Sequence, residues 1–142
     1  HSGVENAVDT GEVRVLKRAV VGEPIRAEDL ADAIAFVKGE NDGSDFRLVT
    51  LLRLRIGYGD RLEPAAETVL RGMFLGVRYW MDEPGVNPMV YWSENHQVLF
   101  AASEYLAGQL YPDGRFRDGR TGQEHRASAR GRLLFWLAQR WL

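Results

Sequence analysis

The stretch PAAETVLRGMFLGVRYWM, residues 64–81, carries the clearest helical periodicity of the chain. Its apolar side chains recur every three or four residues and so share one face of a helix: Ala66, Val69, Leu70, Met73, Phe74, Val77 and Trp80. Pro64 is compatible with a first helical turn, where backbone amides have no acceptor within the helix. The pattern predicts one long amphipathic helix that ends at about Met81.

Further helices are predicted on the N-terminal side of this stretch. Residues 26–38 show helical spacing of apolar side chains, and Gly39 follows where a helix is expected to end. Residues 45–56 are apolar nearly all round, which predicts a helix with neighbours on several sides. The residues up to Gly22 fit a short strand almost as well as a helix, and we predict a short helix there.

Two more helices are predicted on the C-terminal side. Residues 82–85 have turn chemistry, and Ser93 beyond them is a favourable N-cap for a helix that extends to about Leu110. Small residues in this helix leave room for close approach by a neighbour: Ala101, Ala102, Ala107 and Gly108. Thr121 and Glu124 have the spacing of a capping box, which predicts the start of the last helix. Its apolar residues are expected to point inward: Leu133, Leu134, Leu137, Ala138 and Trp141.

The helices predict an all-α fold of antiparallel helical hairpins, because connections of roughly 5 to 12 residues favour antiparallel neighbours. We expect a tag remnant and a weakly structured or short helical lead-in over residues 1–22, followed by a single helical domain over residues 23–142. The last helix reaches Leu142 without a capping residue, which predicts that the domain is truncated there. Truncation would leave apolar surface uncovered, so we also expect self-association.

The composition excludes several functional classes. A net charge of -2, with 45% hydrophobic and 27% charged residues, is typical of soluble globular proteins and indicates neither a nucleic-acid nor a membrane partner. The absence of cysteine excludes disulfides, thiolate zinc sites and thiol nucleophiles. His96 and His125 lack the spaced carboxylates of a typical metal site, so we predict neither a metal nor another cofactor.

The middle of the chain resembles a family of large, uncharacterised microbial and fungal proteins. The resemblance lies in FLGVRYWMDEPG at residues 74–85, in MVYWSENHQ at residues 89–97 and in EYLAGQL at residues 104–110. In weaker form it reaches back to Asp45 and Phe46, and it covers most of the chain after Pro24. Members of that family are much longer and look like six-hairpin α/α toroids. The resemblance implies that this chain is part of such a toroid, and it suggests glycan chemistry by analogy of fold.

The candidate site lies at the start of the helix that follows Ser93. In toroids similar to this family, the N-terminal ends of inner helices commonly line the central cavity. Glu94, Asn95 and His96 are therefore candidate catalytic residues, and Tyr91 and Trp92 are candidate substrate-binding residues. A helix N-terminus offers unsatisfied amide donors and a partial positive charge, which suit an anionic sugar. The expected partner is a glycan. The chain alone is expected to be inactive, because it supplies too little of the cavity wall.

Two reaction types remain open. Asn95 and His96 resemble the Asn-His pairs of toroidal lyases for acidic polysaccharides, in which the amide neutralises a uronate carboxylate and the imidazole or a tyrosine moves protons. The alginate-lyase type of pattern has a second Asn before this pair and a Tyr two residues after it, positions occupied here by Glu94 and Val98. A hydrolase would instead need two carboxyl groups about 5 to 10 Å apart. Glu94 is one candidate, and the candidates for its partner are Asp82, Glu83 and Glu104.

The competing hypothesis is a non-catalytic helical scaffold or binding module. In that case Ser93 and Glu94 form an ordinary helix start, while Asn95 and His96 fasten a loop to the helix. A polar cleft that contains the Glu94 and His96 side chains would favour the enzyme, whereas their burial against other helices would favour the scaffold.

Other residues with functional potential have a structural interpretation as well. Trp80 and Tyr105 are interpreted as core residues rather than as surfaces for sugar stacking, and a core position is the alternative interpretation for the candidate substrate-binding residue Trp92. The arginine-rich segment at residues 115–132 is interpreted as solvated surface, because acidic residues are interleaved with the arginines.

Overall fold

The computed structural model describes residues 11–85 and 93–141, and within these ranges it confirms the all-α prediction. The α-helices are α1 Gly11–Val20, α2 Ala27–Lys38, α3 Ser44–Tyr58, α4 Pro64–Gly76, α5 Glu94–Leu110 and α6 Gly122–Trp141. A 3-10 turn, Gly59–Arg61, joins α3 to α4. In the described part of the chain there is no strand, and the isolated β-bridges pair Ile25 with Leu62 and Arg115 with Thr121.

The N-terminal helices begin and end close to where the sequence places them. The segment before Gly22, which fits a strand almost as well as a helix, forms helix α1, and its Val15 and Ala19 lie in the core. At the start of α2, the Arg26 N–H donates to Asp29 Oδ2 at 3.0 Å, and the Asp29 N–H donates to the Arg26 carbonyl at 3.2 Å. These bonds satisfy amide groups that have no acceptor within the helix. The last residue of α2 is Lys38, next to Gly39.

The prediction that α4 extends to Met81 is wrong, because the helix ends at Gly76 and Val77 is already extended. Two groups of contacts replace the missing helical hydrogen bonds. The buried Tyr79 folds back so that its hydroxyl donates to the Phe74 carbonyl at 2.6 Å. The N–H groups of Tyr79 and Trp80 donate to Glu83 Oε2 at 3.0 and 2.9 Å. Burial of Tyr79 and of the Glu83 carboxylate therefore competes successfully with continuation of the helix.

The hairpin formed by α5 and α6 is defined by caps and by close backbone contact. Ser93 caps α5 as predicted, since its hydroxyl accepts from the His96 N–H at 3.3 Å. The capping box of α6 is also present, with the Thr121 N–H donating to Glu124 Oε2 at 2.6 Å. Gly108 lies against the backbone of Gly122, and a Cβ at Gly108 would overlap the Gly122 carbonyl oxygen. The small residues of α5 therefore do permit close approach.

The main apolar core lies between α1, α2, α3 and α4, and Tyr111 and Phe116 join it from the segment between α5 and α6. In α3, Leu48, Leu51 and Leu52 are buried, whereas Phe46 and Ile56 are exposed. Neighbours therefore cover α3 on only part of its circumference. None of the described helices combines the length and the apolar character needed to span a bilayer.

The prediction that the apolar residues of α6 point inward is wrong for much of the helix. Leu134, Leu137 and Ala138 are exposed, as is Phe135, while Leu133 is partly buried. The physical reason is that α5 is the principal neighbour of α6 among the described elements. A single neighbouring helix can bury only one side of the twenty-residue helix α6, so the other sides stay exposed. The side chain of Trp141 is not among the described ones.

Candidate functional site

The start of α5 brings one predicted site residue, His96, against a carboxylate from another helix. His96 lies in the first turn of α5, and its Nδ1 is 2.6 Å from Oδ2 of Asp45, in the first turn of α3. The Asp45 side chain is 1% exposed and that of His96 is 19% exposed. This Asp45–His96 pair therefore joins a buried carboxylate to an imidazole that solvent still reaches.

The other two predicted catalytic residues differ in their surroundings. Glu94 forms an ion pair with Arg140 near the end of α6, with 2.8 Å between Glu94 Oε1 and Arg140 Nε. Asn95 is exposed and lines a cleft between α3, α5 and α6. The predicted substrate-binding residues Tyr91 and Trp92 lie outside the described residues.

The cleft beside the Asp45–His96 pair has a volume of about 410 Å³ and is mostly apolar. Its lining comprises Phe46, Asn95, Val98, Leu99, Leu133, Trp136, Leu137 and Arg140. Phe46 connects it to the pair, because its ring packs edge-on against the His96 ring with 5.7 Å between centroids. The polar groups of the lining are Asn95, in the first turn of α5, and Arg140, in the last turn of α6. The cleft thus combines flat apolar surface with a few polar groups, as small-ligand sites commonly do.

Of the carboxylates considered as partners for Glu94, Glu83 and Glu104 have other hydrogen-bond partners. Asp82 is exposed in the loop after α4, and Glu83 accepts hydrogen bonds from the backbone of Tyr79 and Trp80. Glu104 is eight residues after His96 on the same helix, a rise of about 12 Å. It accepts a hydrogen bond from the ring of His125, so the two histidines belong to different sites.

A second polar site, which the sequence did not predict, is buried where the loop after α4 meets the α5–α6 hairpin. We call it the buried cluster, formed by Glu83, Glu104, Asp118 and His125. His125 is fully buried, with Nδ1 at 2.8 Å from Glu104 Oε1 and Nε2 at 2.8 Å from Asp118 Oδ1. Its ring also stacks on Phe116 at 4.4 Å between centroids.

Two arginines enclose the buried cluster. The Nε of Arg120 donates to Asp118 Oδ2 at 2.6 Å, and the guanidinium of Arg132 binds the second oxygen of Glu104 while lying 4.3 Å from the centroid of the Trp80 ring. The interpretation of this arginine-rich segment as solvated surface is therefore wrong for these two residues. They are paired because a buried carboxylate needs a compensating charge.

Mutual interaction shifts the pKa values of the buried cluster. Burial lowers the pKa of His125, but hydrogen bonds to Glu104 and Asp118 outweigh it and raise the pKa above its usual 6.5. Burial raises the pKa of Asp118, yet hydrogen bonds from His125 and Arg120 bring it below its usual 3.8. For Glu83, burial raises the pKa despite the nearby imidazole and the Tyr79 N–H.

Comparison of the chain with protein-family models, curated proteins and solved structures gave no match. The geometry of the two sites is therefore the basis for a functional hypothesis. The Asp45–His96 pair is partly open to solvent and adjoins a cleft, whereas the buried cluster is enclosed. A ligand the size of a sugar has access only to the first of these two.

Sequence reasoning found His96 and missed its partner. Asp45 is fifty-one residues earlier, and only the folding of α3 against α5 brings the two side chains together. One signal did point to it, because the weaker part of the family resemblance includes Asp45 and Phe46. The sequence contains no comparable signal for the buried cluster, because its four residues come from separate segments and show no regular spacing.

Proposed function

We propose that this chain contributes a proton-transfer site for a glycan, built from Asp45, Asn95 and His96, to a protein with the architecture of an α/α toroid. The observation that carries the proposal is the 2.6 Å contact between the buried Asp45 carboxylate and Nδ1 of the partly exposed His96 ring. This arrangement is typical of imidazoles that act as a base, because the carboxylate fixes both the ring orientation and the tautomer.

The pairing determines which nitrogen of His96 is available. When Nδ1–H donates to Asp45, Nε2 of the neutral ring carries the lone pair that accepts a proton. Among residues 11–85 and 93–141, Nε2 has no hydrogen-bond partner. A substrate at the mouth of the cleft would supply that partner.

The cleft suits an acidic sugar. Phe46 and Trp136 offer flat apolar faces for sugar rings, and the exposed Asn95 amide can donate to a carboxylate or hydroxyl group. The N-terminal end of α5 contributes a partial positive charge, and Arg140, which pairs with Glu94, adds guanidinium N–H donors at the same cleft. These features favour a uronate over a neutral sugar.

The reaction type favoured by this geometry is elimination. Nε2 of His96 would take the proton from C5 of the uronate, a C4=C5 double bond would form, and the C4–O4 bond would break, with the departing oxygen protonated by solvent. Hydrolysis is less favoured, because the carboxylates nearest to the site are both engaged, Asp45 with His96 and Glu94 with Arg140.

The proposal is tested with the full-length protein that contains this chain, because the chain alone is expected to supply too little of the cavity. The substrates are acidic polysaccharides, and the ultraviolet absorbance of the new double bond is the readout. We expect His96→Gln to reduce turnover by about 100-fold or more, the usual contribution of a positioned base, and Asn95→Ala to reduce it as well. Gln109→Ala, an exposed change on the same helix, is the control and should leave turnover unchanged. Melting temperatures of the three variants should stay within a few degrees of the unaltered chain. Absence of any unsaturated product from a panel of uronate-containing polymers would contradict the proposal.

The second candidate function is a non-catalytic scaffold, and a specific observation favours it. The side chains of Glu94 and His96 tie the start of α5 to α6 and to α3, respectively. If these contacts are structural, His96→Gln and Asp45→Asn should each lower the free energy of unfolding by roughly 2 kcal/mol or more, because a buried partner is left without its hydrogen bond. Chemical denaturation of the two variants therefore separates the two functions.

A further inference from the structure

The buried cluster contains three metal-ligating side chains that converge from different segments. Glu83 belongs to the loop after α4, Asp118 to the loop before α6, and His125 to the first turns of α6. One ligand atom of each lies within 4.8 Å of the others. Two carboxylates and one imidazole are a set that first-row divalent cations commonly use.

Glu83 carries a buried oxygen that has no hydrogen-bond partner within residues 11–85 and 93–141. Its Oε2 accepts both backbone N–H groups described above, whereas Oε1 is buried and without a hydrogen bond among the described residues. The whole residue is only 4% exposed. Buried carboxylate oxygens are normally paired, so this oxygen is available to bind a further group.

Groups around the ligands hold them in the orientation that a cation requires. Glu104 binds Nδ1 of His125 and so directs Nε2 towards Asp118, in the way that carboxylates orient metal-binding histidines. Arg120 Nε donates to Oδ2 of Asp118, while Oδ1 accepts from the Arg120 backbone N–H at 3.0 Å and faces Nε2 at 2.8 Å. Two ligand atoms bound tetrahedrally to one ion at about 2.1 Å are about 3.4 Å apart, so Nε2 and Oδ1 would separate by roughly 0.6 Å to admit the ion.

We infer that Glu83, Asp118 and Nε2 of His125 bind a divalent transition-metal cation, of which Zn²⁺ is the preferred example. The cation takes the place of the proton between His125 and Asp118, and that proton leaves to solvent. The imidazole ligand favours Zn²⁺ over Mn²⁺ and disfavours Mg²⁺ and Ca²⁺, which prefer oxygen ligands. This inference is independent of the proposed glycan site, because it uses none of the same side chains.

The inference is tested by titrating the chelator-treated chain with ZnCl2, MnCl2, MgCl2 and CaCl2 in a calorimeter. We expect one equivalent of Zn²⁺ to bind, Mn²⁺ to bind more weakly, and Mg²⁺ and Ca²⁺ to give no heat. The melting temperature should rise with Zn²⁺ concentration, because a ligand that binds only the folded state stabilises it. Glu83→Gln and His125→Gln should each weaken Zn²⁺ binding by at least about tenfold, as expected for the loss of one ligand. His96→Gln, which removes one of the two histidines outside the cluster, should leave binding unchanged.

A second measurement covers the case in which these variants fail to fold. In the unaltered chain, the nitrogen NMR signal of His125 Nε2 should move on addition of Zn²⁺, while that of Nδ1 keeps the signature of a hydrogen bond to Glu104. An Nε2 signal that does not respond to a tenfold excess of Zn²⁺ would overturn the inference. Binding of Zn²⁺ that His96→Gln abolishes would do the same.

Discussion

Single side chains decide the local structure at two places where the backbone departs from a simple helix. Tyr79 fixes the end of α4, because its buried hydroxyl donates to the Phe74 carbonyl that the next helical turn would otherwise satisfy. Asp29 fixes the start of α2 through the Arg26 N–H, and it also binds Arg18 of α1 at 3.1 Å. Tyr79 therefore determines where α4 ends, and Asp29 determines where α2 begins.

Tyr79→Phe should destabilise the protein by about 1 to 2 kcal/mol, because the buried Phe74 carbonyl loses its donor while the apolar ring is retained. The measurement is urea denaturation followed by circular dichroism. Tyr105→Phe is the matched control, since its hydroxyl accepts from Arg126 at an exposed site, and it should change stability by less than about 0.5 kcal/mol. Equal effects of the two substitutions would show that the Tyr79 hydroxyl does not determine where α4 ends.

Asp29 should make stability depend on pH in the acid range. Burial raises its pKa, but the Arg26 N–H and the Arg18 guanidinium outweigh burial and hold the pKa below the usual 3.8. A lowered native pKa stabilises the fold above pH 3.8, and the stabilisation is lost as pH falls through the lower native value. Asp29→Asn should therefore destabilise the protein at pH 7 and have progressively less effect below pH 4. Denaturation of both proteins across this range measures the difference, with the exposed Asp32→Asn as control.

At the scale of elements, the sequence was most informative where periodicity and capping agree. The capping groups of Ser93 and of Thr121 with Glu124 predicted the starts of α5 and α6, because a cap is a local interaction between residues three apart. The end of α4 was mispredicted, since its periodicity continues through Trp80 while burial of Tyr79 and Glu83 depends on a distant segment. The same limit explains why His96 was recognised and its partner Asp45 was not.

The α5–α6 contact should tolerate no side chain at Gly108. Because a Cβ there would overlap the Gly122 carbonyl, Gly108→Ala must move the two helices apart, and we expect a loss of about 2 kcal/mol or more. A Cβ added at Gly131 of α6 would meet no neighbouring group within 4 Å, so Gly131→Ala should stabilise the protein by about 0.5 to 1 kcal/mol. Thermal unfolding of both variants gives the comparison. A stabilised Gly108→Ala variant would contradict the close packing described above.

At the scale of the whole molecule, large apolar side chains are exposed on α6 and at the start of α3. Leu134, Phe135, Leu137 and Phe46 are each about half exposed. Leu134 and Leu137 share one face of α6 because they are three residues apart, and Leu137 lines the same cleft as Phe46, whereas Phe135 projects from another side of the helix. Scattered apolar residues are normal on protein surfaces, but a group such as Leu134, Leu137 and Phe46 marks a surface that another molecule can cover. We therefore propose that the chain associates with itself.

Sedimentation velocity between micromolar and millimolar concentrations should show the average mass rising with concentration. Replacing Leu134 and Leu137 together by Gln should weaken this association, because burial of both apolar side chains is lost. Gln123→Ala, an exposed change about three turns away on the same helix, should leave the association nearly unaltered. A single monomeric species at every concentration would exclude the proposal.

The uneven cover of α6 also has a consequence for backbone dynamics. Its first turns are held by the capping box, by the contact with Gly108 and by the buried side chains of His125 and Ala129, whereas most side chains after Gly131 are exposed. Hydrogen exchange should therefore be slow for amides near Ala129 and progressively faster towards Arg140, with fraying of the last turns well below the temperature of global unfolding. The two halves of one continuous helix would then belong to different cooperative units.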